Sequence, residues 1–169
     1  MTRKSRQRLR MVALSACLCG VLAMSALVMG AWREVSAATT GHVVIDRYTG
    51  LAIYGFDPVA YFTDGAALPG RETLELSLGG AAWRFRNEGN LAAFADDPEI
   101  YMPRFGGHDP VAIGHGIARA GHPQIWAIHG ERLFLFYSEE ARREFVADPQ
   151  AVVERADARW PALSRTLSP

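Results

Sequence analysis

Gly55-Phe56-Asp57-Pro58-Val59-Ala60 returns 52 residues later as Gly107-His108-Asp109-Pro110-Val111-Ala112, and this repetition decides the fold. Each copy leads into a β-rich stretch ending in Phe, then a short helical segment closed by Asp-Pro. In the first copy that segment runs from Phe85 to Phe94 and closes at Asp97-Pro98. In the second it runs from Phe136 to Phe145 and closes at Asp148-Pro149, with the same spacings. A fixed period of about 50 residues marks two copies of one supersecondary unit. Positions that match between copies then carry the fold, and positions that differ become candidates for function.

Working outward from the repeat, Leu74, Leu76 and Leu78, then Trp83 and Phe85, alternate around Gly79-Gly80 and predict a hairpin over Glu72 to Arg86. Pro123 to Ile128 and Glu131 to Tyr137 predict a second hairpin, turning at His129-Gly130. Asp57-Pro58 is a helix-start signal for a single turn through Tyr61. A helix is expected from Asn87 or Glu88 through Phe94, and another from the N-cap Ser138 through Val146. Pro149 opens a last helix, expected to stop near Arg159 because Trp160-Pro161 follows, with Trp160 docking as a lid on the core. Before the repeat, His42 to Tyr54 carries β-branched and aromatic residues broken by Gly50, which predicts one or two short strands. The expected fold class is α+β, with two fused ββα-type units whose small antiparallel sheets pack on two to three helices.

The 169 residues allow one domain plus an N-terminal segment. Residues 1–38 form that segment and residues 39–169 the domain, with repeat one at about 53–106 and repeat two at about 107–163. Net charge is zero, but the first ten residues carry five bases and no acid, so the remainder is acidic. An acidic domain disfavours nucleic acid as a partner, because phosphate backbones require a basic face. Met11 to Trp32 is uncharged and long enough to cross a bilayer. The basic cluster ahead of it predicts a cytoplasmic N-terminus and an exported domain. Val35-Ser36-Ala37 and Ser36-Ala37-Ala38 offer signal-peptidase sites, so the segment reads either as an inner-membrane anchor through residues 11–32 or as a cleaved signal. Either way the domain is expected in a bacterial periplasm, anchored or released. Both cysteines, Cys17 and Cys19, lie in this segment, so the domain holds neither a disulfide nor a thiolate-bound metal.

Beyond the repeated hexapeptide, the first copy reads Tyr61-Phe62, Trp83-x-Phe85, Asn90, Phe94, Asp97-Pro98, Tyr101, Pro103 and Gly106-Gly107. This series resembles the YHS domain family, in particular its exported stand-alone branch, over roughly Ile53 to Leu163. The resemblance implies the family's fold, and short family members carry cysteines that imply soft-metal binding. Here those positions are Ala60, Arg86 and Asn90 in one copy and Ala112, Tyr137 and Ala141 in the other. After Gly-Gly, where the exported branch often has Tyr-Cys-Ala, the chain has His108-Asp109-Pro110. The implied fold carries over; the implied thiolate chemistry does not.

His108, His115, His122 and His129 recur every seven residues, which with Asp109 makes a candidate copper or zinc set. The glycines and prolines between them rule out one helix that would stack them, so only converging loops would gather them. Asp57 and Asp109 occur in both copies, and capping the turn before Val-Ala accounts for them better than catalysis does. No nucleophile elbow, phosphate loop or dinucleotide fingerprint is present, so no enzyme is expected. The pairs Phe56/His108, Tyr61-Phe62/Ile113-Gly114 and Arg86/Tyr137 differ in chemistry between copies. They predict a ligand-binding patch of His108, Arg86 and Tyr61 at the seam between the units. The expected function is a non-enzymatic, exported YHS-like module that holds a small ligand or a periplasmic protein. The alternative is copper or zinc handling through the histidines.

Overall fold

The computed structural model describes residues 42–167, so the anchor-or-signal segment lies outside the described residues. Among those described, no helix is long and apolar enough to cross a membrane. Over the described residues the fold is α+β: two separate antiparallel two-stranded sheets and six helices. In chain order these are α1 (Ala60–Thr63), β1 (Arg71–Leu78), β2 (Ala81–Phe85), α2 (Glu88–Asp96), α3 (Pro98–Tyr101), α4 (Pro110–Gly114), β3 (His122–His129), β4 (Arg132–Phe136), α5 (Glu139–Ala147) and α6 (Pro149–Ser164). Only α2, α5 and α6 exceed five residues; the other three are single turns that the expectation of two to three helices did not count.

The two halves repeat down to individual bonds. A 3-10 turn precedes each Asp-Pro bend, at Ile53–Gly55 and Arg104–Gly107, and each has successive residues at positive φ. Each hairpin breaks register once, between Arg71 and Glu75 in the first and between His122 and Trp126 in the second. Asn87 caps α2 by accepting from the Asn90 amide, and Ser138 caps α5 by accepting from the Ala141 amide. Trp83 and Phe94 meet at 5.0 Å and Phe134 and Phe145 at 4.8 Å, with nearly equal ring tilts of 38° and 40°.

The Asp of each bend is buried and reaches across its unit. Asp57 Oδ1 accepts from the amides of Val59 (2.8 Å) and Ala60 (3.4 Å), while Oδ2 accepts from the Arg86 amide (2.8 Å) and Asn90 Nδ2 (2.7 Å). Asp109 repeats the first three bonds with Val111, Ala112 and Tyr137, at 2.8, 3.4 and 2.9 Å. The fourth is missing because Ala141 stands where the first copy has Asn90. Each carboxylate therefore pins a bend to the end of a strand, and Asp57 also ties in helix α2 through Asn90.

Three expectations are corrected. His42 to Tyr54 forms no named strand; it carries isolated bridges, Ile45 to Ala52 and Leu51 to Ala82, because it crosses other segments too briefly for a ladder. The second hairpin turns at Gly130-Glu131, both at positive φ, and not at His129-Gly130. Helix α6 continues through Pro161 to Ser164. Proline removes one backbone donor, and the helix tolerates that loss beside its C-terminal end.

Two cores form. The first gathers Ile53, Tyr61, Trp83, Phe85 and Phe94 with Leu133 and Leu135; the second gathers Phe105, Ile113, Phe134, Phe136, Phe145 and Val152. Strand β2 buries only alternate residues, and its outer face carries Arg84, whose Nε lies 2.7 Å from Glu75. This pair is half-exposed, so Arg84→Ala is expected to cost under about 1 kcal/mol by urea unfolding. A larger loss would place Arg84 in the packing.

Candidate functional site

The expected patch is not assembled as one site. Tyr61 is buried at the seam, donating its phenol hydrogen to Pro123 O (2.8 Å) and meeting Trp126 edge-on at 5.2 Å. Burial, then the Asp57 charge, pushes its pKa well above the ordinary phenol value. Arg86 belongs to the first unit alone, with Nη1 3.2 Å from Asp64 Oδ1. His108 is half-buried beneath the second unit, its ring 5.3 Å from that of Trp160 and its Nδ1 2.9 Å from Phe105 O. Each residue has its own partners, and neither of the surface cavities described brings the three together.

The candidate metal set is dispersed. His115 is exposed at the end of α4, and His122 and His129 occupy opposite ends of β3. Seven strand residues separate those two by about 23 Å. Asp109 is occupied by its three backbone donors. Among the described residues no group of three or more His, Cys, Asp or Glu is placed to hold a metal ion. The seven-residue spacing has no counterpart in space, because the intervening segment changes from helix to loop to strand.

Burial lowers the His108 pKa and nearby His42 adds to this, while the bond to Phe105 O opposes it. A base with a depressed folded pKa stabilises the fold fully above its unfolded value of about 6.5, and that contribution is lost as pH falls through the folded value. Urea midpoints are therefore expected to fall between pH 8 and pH 5, and His108→Gln should flatten the decline. An unchanged slope in that variant would assign the pH dependence elsewhere.

What the structure does contain is a cavity of about 350 Å³ around the turn at Arg104–Gly107. Its walls include His42, Met102, Arg104, Phe105, Arg132 and Trp160. Phe105 comes from the 3-10 turn, held at φ 55°. Trp160 comes from α6, which extends far beyond its first-copy counterpart α3 and lays the indole 5.7 Å from Phe105. His42 comes from the leading strap, which is fixed by the Val44 amide donating to Gly106 O at 2.7 Å. Gly106 has to be glycine here: φ is +62°, and a Cβ would fall 2.8 Å from the His42 carbonyl carbon.

The cavity is charged as well as aromatic. Arg104 pairs with Asp157 and lies over the Phe105 ring at 5.0 Å. Arg132 makes no ion pair among the described residues, and its Nε is buried without a hydrogen-bond partner. Burial, then the Arg104 charge, lowers the Arg132 pKa, with Glu99 and Asp97 acting the other way. His42 Nδ1 is likewise buried and unpaired. Unpaired buried polar atoms are rare because each forfeits its bonds to water, and the two found among the described residues belong to residues that line one cavity.

The sequence held a signal for these residues. Aligned through the repeat, Arg104 corresponds to Ala52, Arg132 to Ala81 and Gly106 to Tyr54. Ala52 and Ala81 are buried in the first core, so the second copy has placed guanidinium groups where the first keeps methyl groups. Comparison of unlike equivalents is a sound guide, but the pairs Phe56/His108 and Arg86/Tyr137 were not the ones that line the cavity. Compared with protein-family models, curated proteins and solved structures, the chain matched none.

Proposed function

We propose that the chain is an exported, non-enzymatic binding module of YHS type, in a bacterial periplasm and either tethered to the inner membrane or released. It holds a small ligand in the cavity beneath Trp160. One observation carries this reading: an aromatic-walled cavity of about 350 Å³ is lined by Arg132 and His42, each of which has a buried polar atom with no partner among the described residues. Small-ligand pockets combine such apolar walls with a few convergent polar groups, and their volumes begin at about 300 Å³. A cavity of this size favours a small molecule over a protein segment.

The test is thermal unfolding of the full chain against a panel of small anionic, neutral and cationic organic compounds, with Cu(II) and Zn(II) as further additions. At least one organic compound should raise the melting temperature, and Trp160→Leu should abolish that shift. If only the metals stabilise the protein, the histidine-based alternative replaces this reading.

A further inference from the structure

The unpaired donors of the cavity specify the chemistry of its ligand, given that the cavity binds one. We infer that it takes a small monocarboxylate with an apolar or aromatic body, the carboxylate held by Arg132 and His42 and the body lying against Trp160, Phe105 and Met102. This rests on the binding reading above and narrows it.

Arg132 is the available cation. The guanidinium of Arg104 is already engaged by Asp157, whereas Arg132 has no acidic partner within ion-pair distance among the described residues. A guanidinium offers Nε–H and a neighbouring Nη–H as a planar fork matched to the two oxygens of a carboxylate. Among the described residues no protein acceptor engages the Arg132 Nε, so the guanidinium that lines the cavity is not committed to an internal partner. His42 Nδ1 supplies a second unpaired ring atom on the same cavity, able to donate to an anion when it carries a proton. A cation would find Asp157 already paired with Arg104 and would have to lie beside the Arg132 guanidinium with only Glu99 to attract it.

The remaining walls restrict the class further. Glu99 and Asp157 line the cavity beside the arginines, so the surroundings do not accumulate enough positive charge for a multiply charged anion such as phosphate. Trp160, Phe105 and Met102 make the rest apolar, and an aromatic or branched aliphatic body fills such a wall where a hydrated inorganic ion does not. The first copy lacks the site because Ala52 and Ala81 replace both arginines there. The equivalent place in the first copy therefore carries no such site.

Calorimetric titration of the full chain in a non-ionic detergent, using benzoate, benzamide and inorganic phosphate, tests this. Benzoate is expected to bind at least about tenfold more tightly than either of the others, the usual margin when a charged fork loses its carboxylate. Arg132→Met should weaken benzoate at least about tenfold and leave benzamide unchanged, with Arg132→Lys in between. Melting temperatures report whether each variant folds; should Arg132→Met fail to fold, Arg132→Lys and His42→Gln decide, and unchanged benzoate affinity in both overturns the inference. Benzoate and benzamide binding alike, or phosphate binding tightest, overturns the carboxylate class while leaving the small-ligand reading intact. Binding unaffected by Trp160→Leu would instead remove that reading, and this inference with it.

Discussion

Replacing Asp57 with alanine is expected to destabilise the domain by about 3–5 kcal/mol, because it strips a buried carboxylate from four donors at once. The Val59, Ala60 and Arg86 amides and the Asn90 side chain all bond to it, and none of these bonds is to an exposed partner that water can readily replace. The same change at Asp109 should cost less, about 2–3 kcal/mol, because only three donors are left behind. Urea unfolding of both variants tests the order as well as the size. Equal losses, or a smaller loss at Asp57, would show that Asn90 contributes nothing to the clamp. Losses under about 1 kcal/mol at both would mean that the carboxylates merely cap exposed turns.

Gly70→Ala and Gly121→Ala should be damaging for a different reason. A Cβ on Gly70 would sit 2.6 Å from the Phe85 amide nitrogen, and one on Gly121 would sit 2.7 Å from the Leu135 carbonyl carbon and 2.9 Å from Gly107 O. These neighbours are backbone, so no side-chain rotation relieves the clash. Each glycine amide also donates at 2.9 Å to the glycine that opens the Asp-Pro bend, Gly70 to Gly55 and Gly121 to Gly107. Making room means prising the hairpin off that bend, at an expected cost of about 3 kcal/mol or more. Gly65→Ala is a contrasting case, since nothing lies within 4 Å of its Cβ position and only its φ of +62° resists the change. A loss at Gly70 no greater than at Gly65 would refute the crowding account.

The repeated Asp-Pro bends, the alternating Leu and aromatic residues and the helix caps made the fold legible, because each is a local device whose geometry follows from its own residues. Asp57 and Asp109 were legible as caps but not as clamps, since the bonds to Arg86 and Tyr137 reach 29 and 28 residues along the chain. The segment from His42 to Tyr54 reads as strand and forms only isolated bridges for a related reason: β-branched residues report burial on an extended chain, not whether a neighbour continues beside them. The cavity was harder to see. Arg104 and Arg132 read as ordinary surface cations until the turn at Arg104–Gly107, the end of β4 and the tip of α6 are known to meet. Trp160 was expected as a lid, and its place over Phe105 and beside His108 agrees with that.

Strand β4 sends its side chains in two directions, and both are covered: Leu133 and Leu135 enter the first core, Phe134 and Phe136 the second. Their first-copy equivalents, Ala82 and Arg84, are only partly buried, so the arrangement is not mutual. A unit of this kind standing alone would show this face to solvent, whereas here the face is buried against its twin. A gene fragment ending between the copies would thus encode an open core lacking two leucines, and the other fragment would encode a hairpin with a bare greasy back. The two halves are thus one cooperative unit: each core needs strand β4, so neither half can be transplanted without the other.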